Sequence, residues 1–265
     1  MKETVVVLGH RGMLGHVVLR YLSERGFRVA TTPSRFERGR EMEFLAEVAA
    51  VDPAAVVNCV GVRPGEVESP SELFRINALL PELLAATLGE RLLVHPSSDG
   101  VFAGTRGPYA VHDRPDAVDA YGLSKRLAER SVELGRSVVL RTSLVGPERG
   151  KAKSLLAWLA AQRGQVRGYT DHLWNGVTTL TWARLCERAL DGELAPGIHQ
   201  PVTEPALSKH GLLEALCTAF ALDVGVAAVA SGTPVDRRLV ATEALPPIDE
   251  QLRELAAWYG GERAR

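Results

Sequence analysis

Cysteine is scarce in this chain. Only Cys59, Cys186 and Cys217 occur in 265 residues, and no two of them form a CxxC pair. That spacing excludes a disulfide framework and a zinc ribbon, and it fits buried, reduced thiols in a cytoplasmic protein. The seven histidines are scattered without an HxxxH pair, so no metal site is expected. No stretch approaches the ~20 consecutive apolar residues of a bilayer-spanning helix, so no membrane partner is expected. The opening MKETVVVLG reaches glycine too soon for a signal peptide. Charge of one sign is also lacking: the formal net charge is −1. Without a broad basic field, nucleic acid is not an expected partner, and an anionic small molecule must be held by a few local groups. No internal repeat or low-complexity tract is visible.

What is present is an alternation. Thr4–Leu8 (TVVVL) is a short, wholly apolar, β-branched run, the pattern of a central parallel strand buried on both faces. A helix is expected from the glycines at 9–15 to Arg25, stopped by Gly26. Strands are then expected at 27–32, 55–60, 92–97 and 137–142. Helices are expected at 41–51, 73–88 (with Pro81 at a first turn or a kink) and 121–134. Alternating strand and helix imply an α/β fold, a Rossmann-type doubly wound parallel sheet with right-handed crossovers, over residues 1–150. After Gly150 the pattern changes to short helices (154–163, 179–190, 209–220), brief extended pieces such as 166–169, and frequent prolines. Residues 151–265 therefore read as a smaller, partly helical lobe over the strand ends, with some C-terminal segments free to return to the large domain.

Gly9, Gly12 and Gly15 stand in GxxGxxG spacing directly between the first strand and its helix. The first allows a tight turn, the second lets backbone approach a pyrophosphate, and the third permits close helix–sheet packing. The helix end then offers N–H groups and a positive dipole to phosphates, so a dinucleotide is expected against Gly9, Arg11, Gly12, Met13, Leu14 and Gly15. The second strand ends in Thr31-Thr32-Pro33-Ser34-Arg35, with no acid before Glu37. Thr32, Ser34 and Arg35 suit a 2′-phosphate better than two ribose hydroxyls, and Arg11 adds to them, so NADPH (NADP) is preferred over NADH.

Tyr121 and Lys125 form a YxxxK pair at the start of a helix, and i, i+4 spacing puts both on one face. A nearby ammonium is expected to stabilise the phenolate and lower the tyrosine pKa from near 10, and the same lysine can hold the nicotinamide ribose. A buried strand ends upstream in Ser97-Ser98-Asp99, at the carboxyl edge of the sheet where ligands of such folds bind. Ser98 is there placed to hydrogen-bond a carbonyl that Tyr121 protonates. Arg141 follows a later strand, where pairing with an acid is its simplest role. Arg63, in the loop after Gly61, is placed to face a substrate diphosphate.

The segments VLGHRGMLGH, VVNCVG, INALLPELL, SSDGVFAG, YGLSK and LRTSLVG, in this order and spacing, resemble extended short-chain dehydrogenases/reductases, and most closely their dTDP-4-dehydrorhamnose reductase branch. GYTDHLWNGVTTL and EPALSKHGLL also resemble sugar-nucleotide reductases of that branch, so the resemblance runs from Val5 to Leu213. It implies Ser98, Tyr121 and Lys125 as the catalytic trio. It implies a cofactor lying against the glycine loop, Cys59, Val60 and Gly61, Asn77 and Ser97, besides Tyr121 and Lys125. It implies a nucleotide-linked 4-keto-6-deoxy sugar as substrate, with dTDP the expected nucleotide, held by Arg63, Asp99, Val101, Phe102, Trp174 and Asn175.

Two departures stand out. Ser98 replaces the threonine of many members and keeps its hydroxyl. Gly100 replaces a tyrosine or other large residue, which is expected to open space beside the substrate. The alternatives are an epimerase or dehydratase of the same superfamily, for which Gly100 supplies no additional acid or base, and a non-catalytic, cofactor-binding regulatory subunit. Relatives pair through helices of the cofactor domain or remain single, so a homodimer stays open.

Overall fold

The computed structural model describes residues 3–149 and 153–260. The domain boundary expected at 150–151 lies outside the described residues. Six parallel strands form the central sheet: β1 (Thr4–Leu8), β2 (Arg28–Ala30), β3 (Ala55–Asn58), β4 (Leu92–Ser97), β5 (Ser137–Arg141) and β6 (Gly197–His199). Their order is β6-β5-β4-β3-β1-β2, and each neighbouring pair runs parallel. Winding reverses between β1 and β3, so their connections leave in opposite directions and open a crevice at their carboxyl ends. Val6, Val7, Leu8, Val56, Val57, Leu93, Val94 and Val138–Leu140 are fully buried, because helices cover both faces.

One face packs on α1 (Gly15–Glu24) and α5 (Thr179–Leu190), through Val17, Val18, Leu22, Leu180, Trp182 and Leu185. The other packs on α2 (Glu41–Ala50) and α3 (Leu80–Leu88), through Phe44, Leu45, Val48, Leu80 and Leu84. Thus α5 and β6, from the second half of the chain, belong to the sheet domain. The remaining C-terminal segments build the small lobe. Its core joins Trp174, Leu156, Leu159 and Val166 to Leu212, Leu213 and Leu216 of α6 (Lys209–Phe220), and to Ile248 and Leu252 of α7 (Ile248–Gly260). Leu255 of α7 reaches the sheet-domain core instead, so this helix ties the two bodies together.

Several expected elements are shorter than their sequence patterns. The strands at 27–32 and 55–60 end at Ala30 and Asn58; Cys59 and Val60, past the end of β3, leave the ladder to line the cleft. The helix at 73–88 starts at Pro70 and opens into a π turn over Arg75–Leu79. Pro81, in the first turn of α3, has no N–H to return to the turn before it, and the ladder widens there. The helix at 121–134 is α4 (Ala120–Ala128) followed by a separate turn at Ser131–Leu134.

Candidate functional site

The glycine loop is fixed by contact with its neighbours. Gly9 has φ +71°, and a Cβ there would lie 2.8 Å from the carbonyl carbon of Cys59, so the β1 and β3 turns touch backbone to backbone. A Cβ on Gly15 would collide with the Gly9 carbonyl. Gly12 is exposed and opens into a cleft of about 380 Å³. Met13, Leu14, Cys59, Val60, Gly61, Arg63, Asn77, Ser97, Ser98, Tyr121 and Lys125 line that cleft too. A cradle closed by glycines on one side, with the first turn of α1 on another, fits a pyrophosphate.

Asn77 has a structural part in this. The π turn aims it at the loop after β3, where its Oδ1 accepts the Val62 N–H at 2.9 Å and its Nδ2 donates to the Val62 carbonyl at 2.8 Å. Nδ2 also reaches the Ser124 hydroxyl at 3.2 Å, which in turn donates to the Tyr121 carbonyl. One side chain thereby couples the cofactor-side loop to the helix bearing Tyr121.

Lys125 is 5% exposed and donates from Nζ to the Pro96 carbonyl at 2.7 Å. Burial lowers it to about 8, against the raising pull of Glu129. Ser98 caps the turn at 99–101 by accepting the Gly100 N–H at 3.0 Å, and donates to Asp99 Oδ1 at 3.1 Å. The expected depression of Tyr121 is reversed. Burial, the largest cause, raises it, and the hydrogen bond with Ser98 pulls only partly the other way. The lysine ammonium docks on the strand end, and Tyr121 stays a phenol, the acid form that protonating an alkoxide requires.

The expectation for Gly100 is also corrected. The residue is buried, and a Cβ there would stand 3.0 Å from Tyr121 Cε1 and 3.1 Å from Ser98 Oγ. Its missing side chain gives room to the Tyr121 ring and opens no substrate space.

The expected substrate contacts divide. Arg63 lies at the cleft mouth, paired with Glu66 at 2.8 Å and donating to the Lys153 carbonyl at 3.2 Å, so it bridges the two bodies. Val101 and Phe102 are fully buried, with Phe102 stacked on Tyr109 at 4.1 Å, and serve packing. Trp174 is 2% exposed in the small-lobe core. Asn175 pairs both ends of its amide with the backbone of Leu239, at 2.8 and 3.0 Å. These four residues hold the fold and do not line the cleft.

In the glycine loop and after β2, Arg11 and Arg35 are exposed and do not line the cleft. Thr32 is buried and donates to the Ser34 carbonyl at 3.4 Å. The Ser34 hydroxyl donates to Glu47 on α2, so the structure brings an acid beside the Thr31–Arg35 segment, which has none of its own.

Several cleft residues escaped the sequence reading: Pro96, Thr142, Ser143, Leu144, Glu66 and Glu148. Thr142–Leu144 follow β5 at the same carboxyl edge as Ser98, and that logic would have found them. Ser97 turns its hydroxyl away from the cleft to Glu129, at 2.6 Å. Arg141 pairs with the same carboxylate, the acid its position called for.

Fold and site together define a doubly wound, nucleotide-cradling α/β protein with a serine, a tyrosine and a lysine at one strand edge. The chain belongs to the family described as RmlD substrate binding domain, whose model matches residues 1–254. The resemblance seen in its motifs is thereby borne out.

Among curated proteins it is 28% identical over 188 residues to methionine adenosyltransferase 2 subunit beta of Danio rerio, covering 66% of this chain and 58% of that one. It is 31% identical over 179 residues to a probable low-salt glycan biosynthesis reductase of Haloferax volcanii, covering 58% and 59%. The chain thus spans under two thirds of the length of either. Among solved structures, dTDP-4-dehydrorhamnose reductase from Bacillus anthracis, in complex with NADP, superposes with a TM-score of 0.81 at 17% identity, over 97% of this chain and 100% of that one. UDP-glucose 4-epimerase from Thermotoga maritima gives 0.77 at 15%, over 98% and 99%. These likenesses confirm the Rossmann-like fold. Among the described residues no helix is long and apolar enough to cross a membrane.

Proposed function

We propose that the protein is an NADPH-dependent reductase of the 4-keto group of a nucleotide-linked 4-keto-6-deoxy sugar, with dTDP the favoured nucleotide, acting in the cytoplasm in deoxysugar biosynthesis. The observation that carries this reading is the convergence of Ser98, a protonated Tyr121 and a buried Lys125 on the cleft that the glycine loop opens.

The nicotinamide supplies a hydride when bound. The chain's residues do the rest. Gly9, Gly12 and Gly15 let the loop approach the pyrophosphate, and the Cys59–Gly61 turn, packed against Gly9, forms the adjoining wall. Lys125 holds the ribose and keeps a positive charge beside the reacting centre. Ser98 orients the sugar carbonyl, and Tyr121 gives its proton to the oxygen that becomes an alkoxide. Arg63 at the mouth serves the diphosphate. For NADPH over NADH the support is the pair of exposed cations, Arg11 and Arg35, which suit a 2′-phosphate.

A panel of nucleotide 4-keto sugars offered with NADPH and with NADH, with product stereochemistry read by NMR, tests the proposal. Oxidation of NADPH with one of them is expected. No oxidation of either cofactor with any member would overturn it and favour a subunit role like that of the Danio rerio relative.

A further inference from the structure

Behind the cleft lies a polar strut whose charged members do not line it. Glu129 caps the C-terminus of α4, one helical turn beyond Lys125, and is 5% exposed. Its Oε1 accepts the Ser97 hydroxyl at 2.6 Å and Arg141 Nε at 2.7 Å, and its Oε2 accepts Arg141 Nη2 at 2.7 Å. Arg141, 2% exposed, extends the strut: Nη1 donates to Gln200 Oε1 at 2.8 Å and to the Val111 carbonyl at 3.1 Å. Gln200, fully buried, donates from Nε2 to the carbonyls of Tyr109 and Val240, at 3.0 and 2.9 Å. The line of contacts runs from the end of β4 through β5 to the loops beside the small lobe.

We infer that Glu129 is a positioning residue for Lys125. Clamped by Ser97 and Arg141, it fixes the strand end whose Pro96 carbonyl seats the ammonium and sets a carboxylate beside that ammonium in a dry interior.

A carboxylate is costly to bury unless its oxygens are satisfied. Three hydrogen bonds satisfy this one, so the placement is a built one. A mere fold-stabilising ion pair needs no particular distance from Lys125. Here both carboxylate and ammonium are bonded to the same dipeptide, Pro96-Ser97, from the same helix face. Other groups facing Lys125 oppose its charge or leave it unchanged. His95 on β4 is buried and held neutral by burial and by the lysine itself, and Tyr121 on the same helix stays a phenol. Arg141 spends two of its nitrogens on the Glu129 carboxylate. Glu129 is therefore the group that keeps the ammonium charged near neutrality.

The inference rests on the assignment of Lys125 to the cofactor, and its test separates the two. Acylation of Lys125 in the cofactor-free protein, followed against pH by peptide mass spectrometry, reads the ammonium directly. NADPH affinity against pH reads its use. Glu129→Gln is expected to move the acylation midpoint down by about one pH unit and to weaken NADPH binding about tenfold above neutrality. Glu129→Asp, which keeps the charge, should hold the midpoint near that of the unsubstituted protein even where it lowers Tm.

Should Glu129→Gln fail to fold, the double variant Glu129→Gln/Arg141→Met removes the buried pair together, a change such pairs commonly tolerate. A downward shift is again expected, because Glu129 and not Arg141 is the charge felt by Lys125. An unmoved midpoint in Glu129→Gln or in the double variant overturns the inference. Unchanged NADPH affinity in Lys125→Met would overturn the cofactor assignment instead, while the acylation midpoint still decides for or against Glu129.

Discussion

The two ends of the cofactor cleft are built differently. At the catalytic end the charged groups behind the cleft are buried and bonded, Lys125 to Pro96 and Glu129 to Ser97 and Arg141, while Arg63 and Glu66 pair at its exposed mouth. At the proposed adenosine end Arg11 and Arg35 stand in solvent, and the contacts of the loop after β2, such as Ser34 with Glu47 and the Phe36 carbonyl with Arg75, tie it to neighbouring helices. Buried, low-dielectric groups act strongly and tolerate little change, whereas exposed ions are screened and each contributes little. The chemistry should therefore be rigidly specified and the choice between NADPH and NADH easily altered. This contrast orders the expected effects of substitution.

The largest belongs to Tyr121→Phe. The ring stays and its proton goes, so turnover should fall ~100-fold or more while Tm holds; steady-state oxidation of NADPH and thermal unfolding measure both. A fall of only a few fold would place the acid elsewhere.

Lys125→Met comes next and separates activity from stability. A lysine depressed to about 8 binds fewer protons folded than unfolded up to its ordinary value of 10.5. Stability from this group therefore rises with pH across that window, and below it the folded state carries the cost of the buried charge. The variant should lose roughly tenfold to a hundredfold in kcat/KM, with Tm at neutral pH unchanged or higher. In the unsubstituted protein NADPH affinity should decline as pH rises through about 8, where the ammonium loses its charge. A marked drop in Tm would show that the ammonium stabilises the strand end more than its burial costs.

Gly100→Ala tests how tightly the catalytic end is packed. A methyl 3.0 Å from Tyr121 Cε1 must displace the ring, and a displacement near 1 Å can cost up to ~100-fold. About tenfold in kcat is expected, with KM little changed. The smallest effect is at the exposed end: Arg35→Ala should weaken NADPH about fivefold and leave NADH untouched, measured by titration of each. Equal losses for both cofactors would remove Arg35 from the 2′-phosphate.

How much of this was legible beforehand follows the same division. Five of the six sheet strands and the glycine loop are local patterns, since β-branched runs and GxxGxxG spacing carry their conformation with them, and they appear near where expected; β6, a short strand from the second half of the chain, had no such signal. Ser98, Tyr121 and Lys125 meet at one cleft because strand ends and i, i+4 spacing are also local facts. What sequence could not convey is which face a side chain turns to. Phe102, close to Ser98 along the chain, and Trp174 and Asn175, placed by resemblance, point into packing and backbone contacts. Glu47 and Glu129 were overlooked because each gains its meaning from a partner on another element, Ser34 and Arg141. The direction of the Tyr121 shift was misjudged for a related reason: burial outweighs a neighbouring charge, and burial belongs to the folded chain.

The central claim, a hydride delivered to a sugar carbon with Tyr121 as the acid, is tested most directly with NADPH deuterated at the transferable position of the nicotinamide. After incubation with a nucleotide 4-keto-6-deoxy sugar, NMR should find one deuterium at C4 of the product, with one NADPH oxidised per sugar and almost none in Tyr121→Phe. Sugar isomerised with no net oxidation of NADPH would contradict the account and make the protein an epimerase.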